Sequence, residues 1–251
     1  MIYFIGAGPG DPELITVKGA RIIAGADVVI YAGSLVNPAL LEGCRPEAEV
    51  HNSAGMNFEE VLEVMVKSWQ QGKTVARVHT GDPSLYGAIQ EQMDALAEKG
   101  IEFEVIPGVS SFFAAAAAVP HELTLPDVSQ TVILTRLEGR TPVPDREKLS
   151  DLARHRSTMC IFLSVNQMER VTGELVQGGY SPETTVYVVE KASWPDQRII
   201  KGNLGNIADK VREAGIKRQA LIMVGEVFGD EYSRSKLYDR GFSHGFRKSS
   251  P

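Results

Sequence analysis

Three glycine-bearing motifs each stand between an apolar, β-like run and a helix-like stretch: Gly6-Ala7-Gly8-Pro9-Gly10-Asp11-Pro12, Thr80-Gly81-Asp82-Pro83-Ser84 and Pro107-Gly108-Val109-Ser110-Ser111. A fourth segment, Ser193-Trp194-Pro195-Asp196-Gln197-Arg198, lies far downstream. Loops that follow the strands of a parallel α/β sheet gather at its carboxyl edge, where such sheets bind small molecules. Three loops in one register therefore describe a cleft. Each also has an ordinary account. The first suits a tight turn after a strand. Asp82-Pro83 suits an N-cap followed by proline at the first helical position. Ser110 and Ser111 suit caps for a helix running to Val119. Gly81, at a strand end, lets a ligand approach the backbone closely.

The first loop invites a nicotinamide-dinucleotide reading, which its residues oppose. The fingerprint needs a third glycine where Asp11 stands. Pro9 removes a backbone N–H that a phosphate cradle would use. His51, His79, His121, His155 and His244 share no metal-ligand spacing. No Gly-x-Ser-x-Gly elbow is present, which disfavours a serine hydrolase. Trp194 reads as core or rim packing. Arg136, Arg140, Lys191 and Arg198 lie at or just beyond the carboxyl ends of downstream strands, on the side expected to face a cleft.

These loops need a scaffold. Apolar, β-branched runs occur at 2–5, 28–31, 74–79 and 103–106, with helical patterns at 57–71 and 84–99. Asn57 with Glu60 is a capping-box pair. Strands alternating with helices indicate βαβ units and a parallel sheet. Pro120 to Pro126 reads as a connector. Beyond it the pattern restarts, with strands at 131–135, 158–163, 184–190 and 220–227 and helices at 147–153, 167–177 and 204–214. The expectation is an α/β protein of two α/β domains, 1–122 and 123–251, the second ending in an aromatic and basic tail.

With 251 residues, 43% of them hydrophobic, the chain can bury proper cores. No apolar run approaches the roughly 20 residues that span a bilayer, so no membrane is expected. Residues 1–6 read as a first strand rather than a secretory leader. Cys44 and Cys160 form no Cys-x-x-Cys pattern, and a cytoplasmic protein without a disulfide framework or bound metal is expected. A formal net charge of −6 opposes a general nucleic-acid binder. It permits an anionic small molecule, because local Arg and Lys can oppose the overall sign.

Taken together, these motifs resemble the tetrapyrrole (precorrin) methyltransferases over essentially the whole chain. Tyr31-Ala32-Gly33-Ser34-Leu35-Val36, the run from Leu134 to Pro142, and Ala192-Ser193-Trp194-Pro195-Asp196 look like the branch acting at C11 of precorrin-4 or cobalt-precorrin-4, in cobalamin (vitamin B12) synthesis. The tail from Leu237 to His244 leans toward the cobalt-containing version. The resemblance implies a homodimer, with S-adenosyl-L-methionine folded in the cleft between two domains and S-adenosyl-L-homocysteine as product. By motif position, the donor would meet Pro9, Gly81, Asp82, Leu85, Ser110 and Ser111, then Leu163, Ala192 and Leu221. The tetrapyrrole substrate carries many carboxylates, for which Arg136, Arg140, Lys191 and Arg198 would be clamps. Asp82 is expected at the polar ends of the donor, away from its sulfur. No general base is named.

Other readings stay open on residues alone. The same fold could methylate another precorrin, a diphthamide precursor or ribosomal RNA, the last opposed by the acidic balance. A nucleotide-dependent oxidoreductase is opposed by Asp11 and Pro9. A catalytically silent binding module could use the same cleft.

Overall fold

Apolar runs of four to six residues form most of the strands, and the segments between them with apolar residues three or four apart form helices. The computed structural model describes residues 1–229 and 232–248. The order is β1 (Ile2–Gly6), α1 (Val17–Gly25), β2 (Val28–Tyr31), β3 (Glu49–Asn52), α2 (Phe58–Gln70), β4 (Val75–His79), α3 (Gln90–Glu98), β5 (Phe103–Ile106) and α4 (Ser111–Ala118). It continues with β6 (Val132–Arg136), α5 (Leu149–Leu152), β7 (Thr158–Phe162), α6 (Met168–Gln177), β8 (Thr185–Glu190), β9 (Arg198–Asn203), α7 (Ile207–Glu213) and β10 (Ala220–Val224). Contacts divide the chain into two units. One holds Met1–Ala115 together with Lys191–Gln197; the other holds Ala116–Glu190 and the chain from Arg198 onward.

The first unit is a five-stranded sheet in the order β3-β2-β4-β1-β5, every pair parallel. Successive side chains of a strand point to opposite faces, and both faces here are covered. Ile2, Phe4 and Val75 pack with Val61 and Met65 of α2 and Leu96 of α3. Ile5, Ala76 and Val78 pack with Ile23 of α1. The start of α2 is set by the expected capping box: Asn57 Oδ1 accepts from Glu60 N at 2.9 Å, and Glu60 Oε2 accepts from Asn57 N at 2.8 Å. The order of strands brings the loops after β1, β4 and β5 to one edge of the sheet.

The second unit is also five-stranded, in the order β6-β7-β10-β8-β9, and it is mixed. Only β6 and β7 pair in parallel; β10 runs against β7 and β8, and β9 against β8. Helices α6 and α7 bury Met168, Val171, Leu175, Ile207 and Val211 against it.

Several elements differ from the sequence expectation. Strands β3 and β9 are additional; both are sheet edges with largely exposed residues, so neither carries an apolar run. The helix expected over 84–99 begins only at Gln90. Before it, Tyr86 and Ala88 take left-handed backbone, with φ of 57° and 49°. Helices expected at 147–153 and 204–214 shorten to α5 and α7. In the described part of the tail, Arg247 holds a loop together by donating to the carbonyls of Leu237 and Asp239, each at 2.7 Å. Among the described residues no helix is long and apolar enough to cross a membrane.

Candidate functional site

In the first unit the first two glycine loops are fastened backbone to backbone, and the third packs closely against them. Gly8 and Gly81 form an antiparallel bridge, Gly8 N to Gly81 O at 3.2 Å and Gly81 N to Gly8 O at 2.8 Å. Ala7 N donates to His79 O at 2.7 Å. The contact requires glycine at two positions for space. A Cβ on Gly6 would lie 2.5 Å from Gly108 Cα and 2.6 Å from Gly81 O. One on Gly108 would overlap Gly81 O. Gly81 itself is different. Its added Cβ would find only ordinary contact, 3.5 Å from Ser110 Cα, but its φ of +61° is the left-handed conformation that glycine adopts without strain.

Asp82 ties two of these loops together. Its Oδ2 accepts from Gly108 N and its Oδ1 from Ser84 N, both at 2.8 Å. It therefore closes a turn over Ser84 rather than capping a helix, as the late start of α3 requires. A carboxylate has about four acceptor positions, so half remain available on this half-buried group. Leu85 is half-buried beside it, its N–H on Asp82 O at 3.3 Å. Ser110 is buried, and Ser111 opens α4.

The segment Lys191–Gln197 joins the same unit, although it connects β8 to β9 in the chain. Trp194 Nε1 donates to Pro9 O at 3.1 Å, and Asp11 N donates to Ser193 Oγ at 2.9 Å. The indole lies flush on Gly10: a Cβ there would overlap Cδ1 and Nε1 and sit 2.9 Å from Cγ. Asn37 Nδ2 donates to Gly10 O at 2.8 Å. Ala192 is buried, and Lys191 pairs with Asp196 while reaching over the Trp194 ring. Sequence reasoning missed Asn37, Ser193 and Trp194 as partners of the first loop. No local spacing announces a contact across 182 residues.

Below the loops the sheet carries a buried polar pair. Arg77 is 7% exposed and among the described residues bonds neutral acceptors: Ser53 Oγ at 3.0 Å, Gln92 Oε1 at 3.3 Å and Ile30 O at 3.4 Å. Burial lowers its pKa to about 10. His79 is 5% exposed, and its Nε2 has no hydrogen-bond partner among the described residues. Burial, then the Arg77 charge, lower its pKa to about 3. It is a neutral imidazole at ordinary pH.

In the second unit, β6, β7 and β8 end at one edge of the sheet, where β9 and β10 begin. That edge carries Arg136, Leu163, Arg198 and Leu221. Leu163 follows β7 with φ of 55° and is 66% exposed, whereas Leu221 is buried. Of the candidate clamps, Arg136 donates to the carbonyls of Thr141 (3.1 Å) and Pro142 (2.7 Å), fastening its own loop. Arg198 pairs with Glu190 at 2.6 Å and donates to Ala214 O at 2.8 Å. Arg140 is exposed and has no ion-pair partner among the described residues. Lys191 belongs to the first unit.

Comparison with known proteins places this geometry. The profile of the tetrapyrrole (corrin/porphyrin) methylases matches residues 1–208. The cobalt-precorrin-4 C(11)-methyltransferase of Methanocaldococcus jannaschii is 60% identical over 249 residues, covering 99% of this chain and 96% of that protein. The precorrin-4 C(11)-methyltransferase of Pseudomonas aeruginosa is 49% identical over 247 residues, covering 98% of each. An X-ray structure of a cobalt precorrin-4 methyltransferase superposes with a TM-score of 0.89 at 51% identity, over 91% of this chain and 96% of that one. A uroporphyrin-III C-methyltransferase from Thermus thermophilus, in complex with S-adenosylhomocysteine, gives a TM-score of 0.75 at 27% identity, over 91% and 93%.

Proposed function

The chain belongs to the tetrapyrrole (corrin/porphyrin) methylases and is a methyltransferase, and from that premise we propose that it methylates C11 of cobalt-precorrin-4 in cobalamin synthesis, with S-adenosylmethionine as donor. The observation that carries the reading is 60% identity to a cobalt-precorrin-4 C(11)-methyltransferase along nearly the full length of both chains. A relative from Priestia megaterium of the same description, at 52%, supports the cobalt-loaded ring. The donor is supported by the Thermus thermophilus structure that holds S-adenosylhomocysteine.

The chemistry of the loops fits such a donor. S-adenosylmethionine, when bound, supplies an electrophilic methyl group on a positive sulfur that leaves as a neutral thioether. The free acceptor positions of Asp82 and the hydroxyls of Ser110 and Ser111 suit its amine and hydroxyl groups. Pro9, Gly81, Leu85, Leu163, Ala192 and Leu221 offer backbone and apolar surface. An apolar lining about the sulfur favours the uncharged product over the charged reactant. Orientation alone can supply roughly 7–11 kcal/mol, so the protein's contribution is alignment and exclusion of water. Arg140 is the clamp most open to a substrate carboxylate; Arg136, Lys191 and Arg198 already hold partners of their own chain. A homodimer is part of the same proposal, and sedimentation would read it directly.

The test has two stages. Calorimetry should show S-adenosylhomocysteine binding and NADH not binding. Incubation with donor and either cobalt-loaded or metal-free precorrin-4 should then add one methyl group, faster on the cobalt ring, as read by mass spectrometry. Binding of the thioether with no methyl gain on either ring would sink the substrate assignment.

A further inference from the structure

We propose that Ser193 and Trp194 are positioning residues, which hold the loop at 6–12 in the shape that receives the methyl donor. The inference rests on the functional reading above and deepens it, because neither side chain is among the donor contacts carried over from the family. The Gly8–Gly81 bridge fixes the base of the loop, but the bridge does not reach Pro9, Gly10 or Asp11. The strap meets all three: Pro9 O accepts from the Trp194 indole N–H, Gly10 packs against the indole at Cδ1 and Nε1 (its carbonyl being taken by Asn37), and Asp11 N donates to Ser193 Oγ.

The strap is itself held in an unfavourable shape. Lys191 and Ser193 have φ of 48° and 69°, in the left-handed region that non-glycine residues rarely occupy. Such residues persist where their surroundings over-determine them, and they cluster at ligand clamps. Here Ser193 N donates to Gln197 Oε1 at 2.7 Å, Trp194 N to Lys191 O at 2.9 Å and Gln197 N to Trp194 O at 3.1 Å. Fold stability alone would favour glycine at 193, since glycine takes that backbone freely. A serine there keeps the group that glycine lacks, the hydroxyl that accepts from Asp11 N. Ala192, one residue away, is an expected donor contact, so one short segment meets the donor and fixes the loop opposite.

Two substitutions separate positioning from bulk stability. Ser193→Gly removes the hydroxyl while relaxing the backbone; Trp194→Phe keeps the ring body and removes the N–H. Each should raise the Kd for S-adenosylhomocysteine, and KM for the donor, about three- to tenfold, the range of one lost hydrogen bond. The kcat at saturating donor should hold, and the melting temperature of Ser193→Gly should not fall. If both variants bind the thioether as tightly as the wild type, the proposal is overturned and the functional reading stands. A weakened Kd that comes only with a lowered melting temperature of Ser193→Gly marks a structural strut and also overturns it. Failure of the wild type to bind the thioether removes the functional reading, and this inference with it.

Discussion

Mild acid should weaken this protein through His79. Two positions before it on the same strand face stands Arg77, and Phe4 lies beside it with ring centroids 6.2 Å apart. Burial and the Arg77 charge bring the folded-state pKa down from 6.5 to about 3. The unfolded chain thus takes up a proton below about pH 6.5 that the folded chain refuses until about pH 3. The stability from this residue is complete above pH 6.5 and is lost as the pH falls through that window. At pH 5, about 1.5 units into it, the loss is about 2 kcal/mol at roughly 1.4 kcal/mol per unit. Arg77 stays charged throughout, with a pKa of about 10. Urea unfolding of wild type and His79→Leu at about pH 7.5 and pH 5 measures the effect, and the comparison cancels the surface carboxylates. Both tryptophans, Trp69 and Trp194, belong to the unit that holds His79, so their fluorescence reports the relevant transition. The wild type should lose about 2 kcal/mol more than the variant. Equal losses would show that His79 protonates in place, and the argument from burial would fail.

Three further outcomes follow from the loops. Asp82→Asn trades one acceptor oxygen for an NH2, leaving Gly108 N or Ser84 N unpaired; a loss of about 1–3 kcal/mol in thermal or urea unfolding is expected. An unchanged stability would remove Asp82 as a tie between loops. Gly108→Ala should cost about 3 kcal/mol by overpacking against Gly81 O and Gly6 Cα, more than the roughly 1–2 kcal/mol of Gly81→Ala, whose penalty is conformational only. The reverse order in a denaturant titration would contradict the close approach. Arg140→Ala should raise KM for the tetrapyrrole about tenfold and spare donor affinity, as expected for one lost charge-assisted bond. Equal loss of both, or of neither, counts against its role as a clamp.

The parts of this fold that read well from sequence are those in which local chemistry and tertiary burial agree. Ile2 to Ile5, and Val75, Ala76 and Val78 around the buried Arg77, are apolar because both faces of a parallel strand are covered. Asn57 and Glu60 signal a helix start with atoms that bond each other. The edge strands do not read: Glu49–Asn52 and Arg198–Asn203 hold their place through backbone pairing, and none of their residues is fully buried. The residues at 84–89 misread as helix because Ser, Leu, Tyr and Ala permit one. What prevents it is partly non-local, Asp82 drawn to Gly108, with a tight local turn that presses Gly87 against Pro83 O. The strap is illegible for the same reason. Trp194 in sequence is an apolar residue of unknown destination; only the folded chain sets it on Gly10.

The first glycine loop shows why a motif must be judged by its free backbone groups. A dinucleotide loop works because several N–H groups converge, unpaired, on an anion at a helix start. Here Ala7 N is taken by His79 O, Gly8 N by Gly81 O and Asp11 N by Ser193 Oγ, while Pro9 has none. The carbonyls of Pro9 and Gly10 are likewise engaged, by Trp194 and Asn37. The glycines serve close contact between protein segments: Gly6 against Gly108, and Gly10 against an indole. An anionic pyrophosphate would find no converging set of N–H donors in such a loop, and Asp11 would repel it. A donor whose reactive centre is a cation needs none, so the feature that makes the loop a poor phosphate cradle is compatible with sulfonium chemistry.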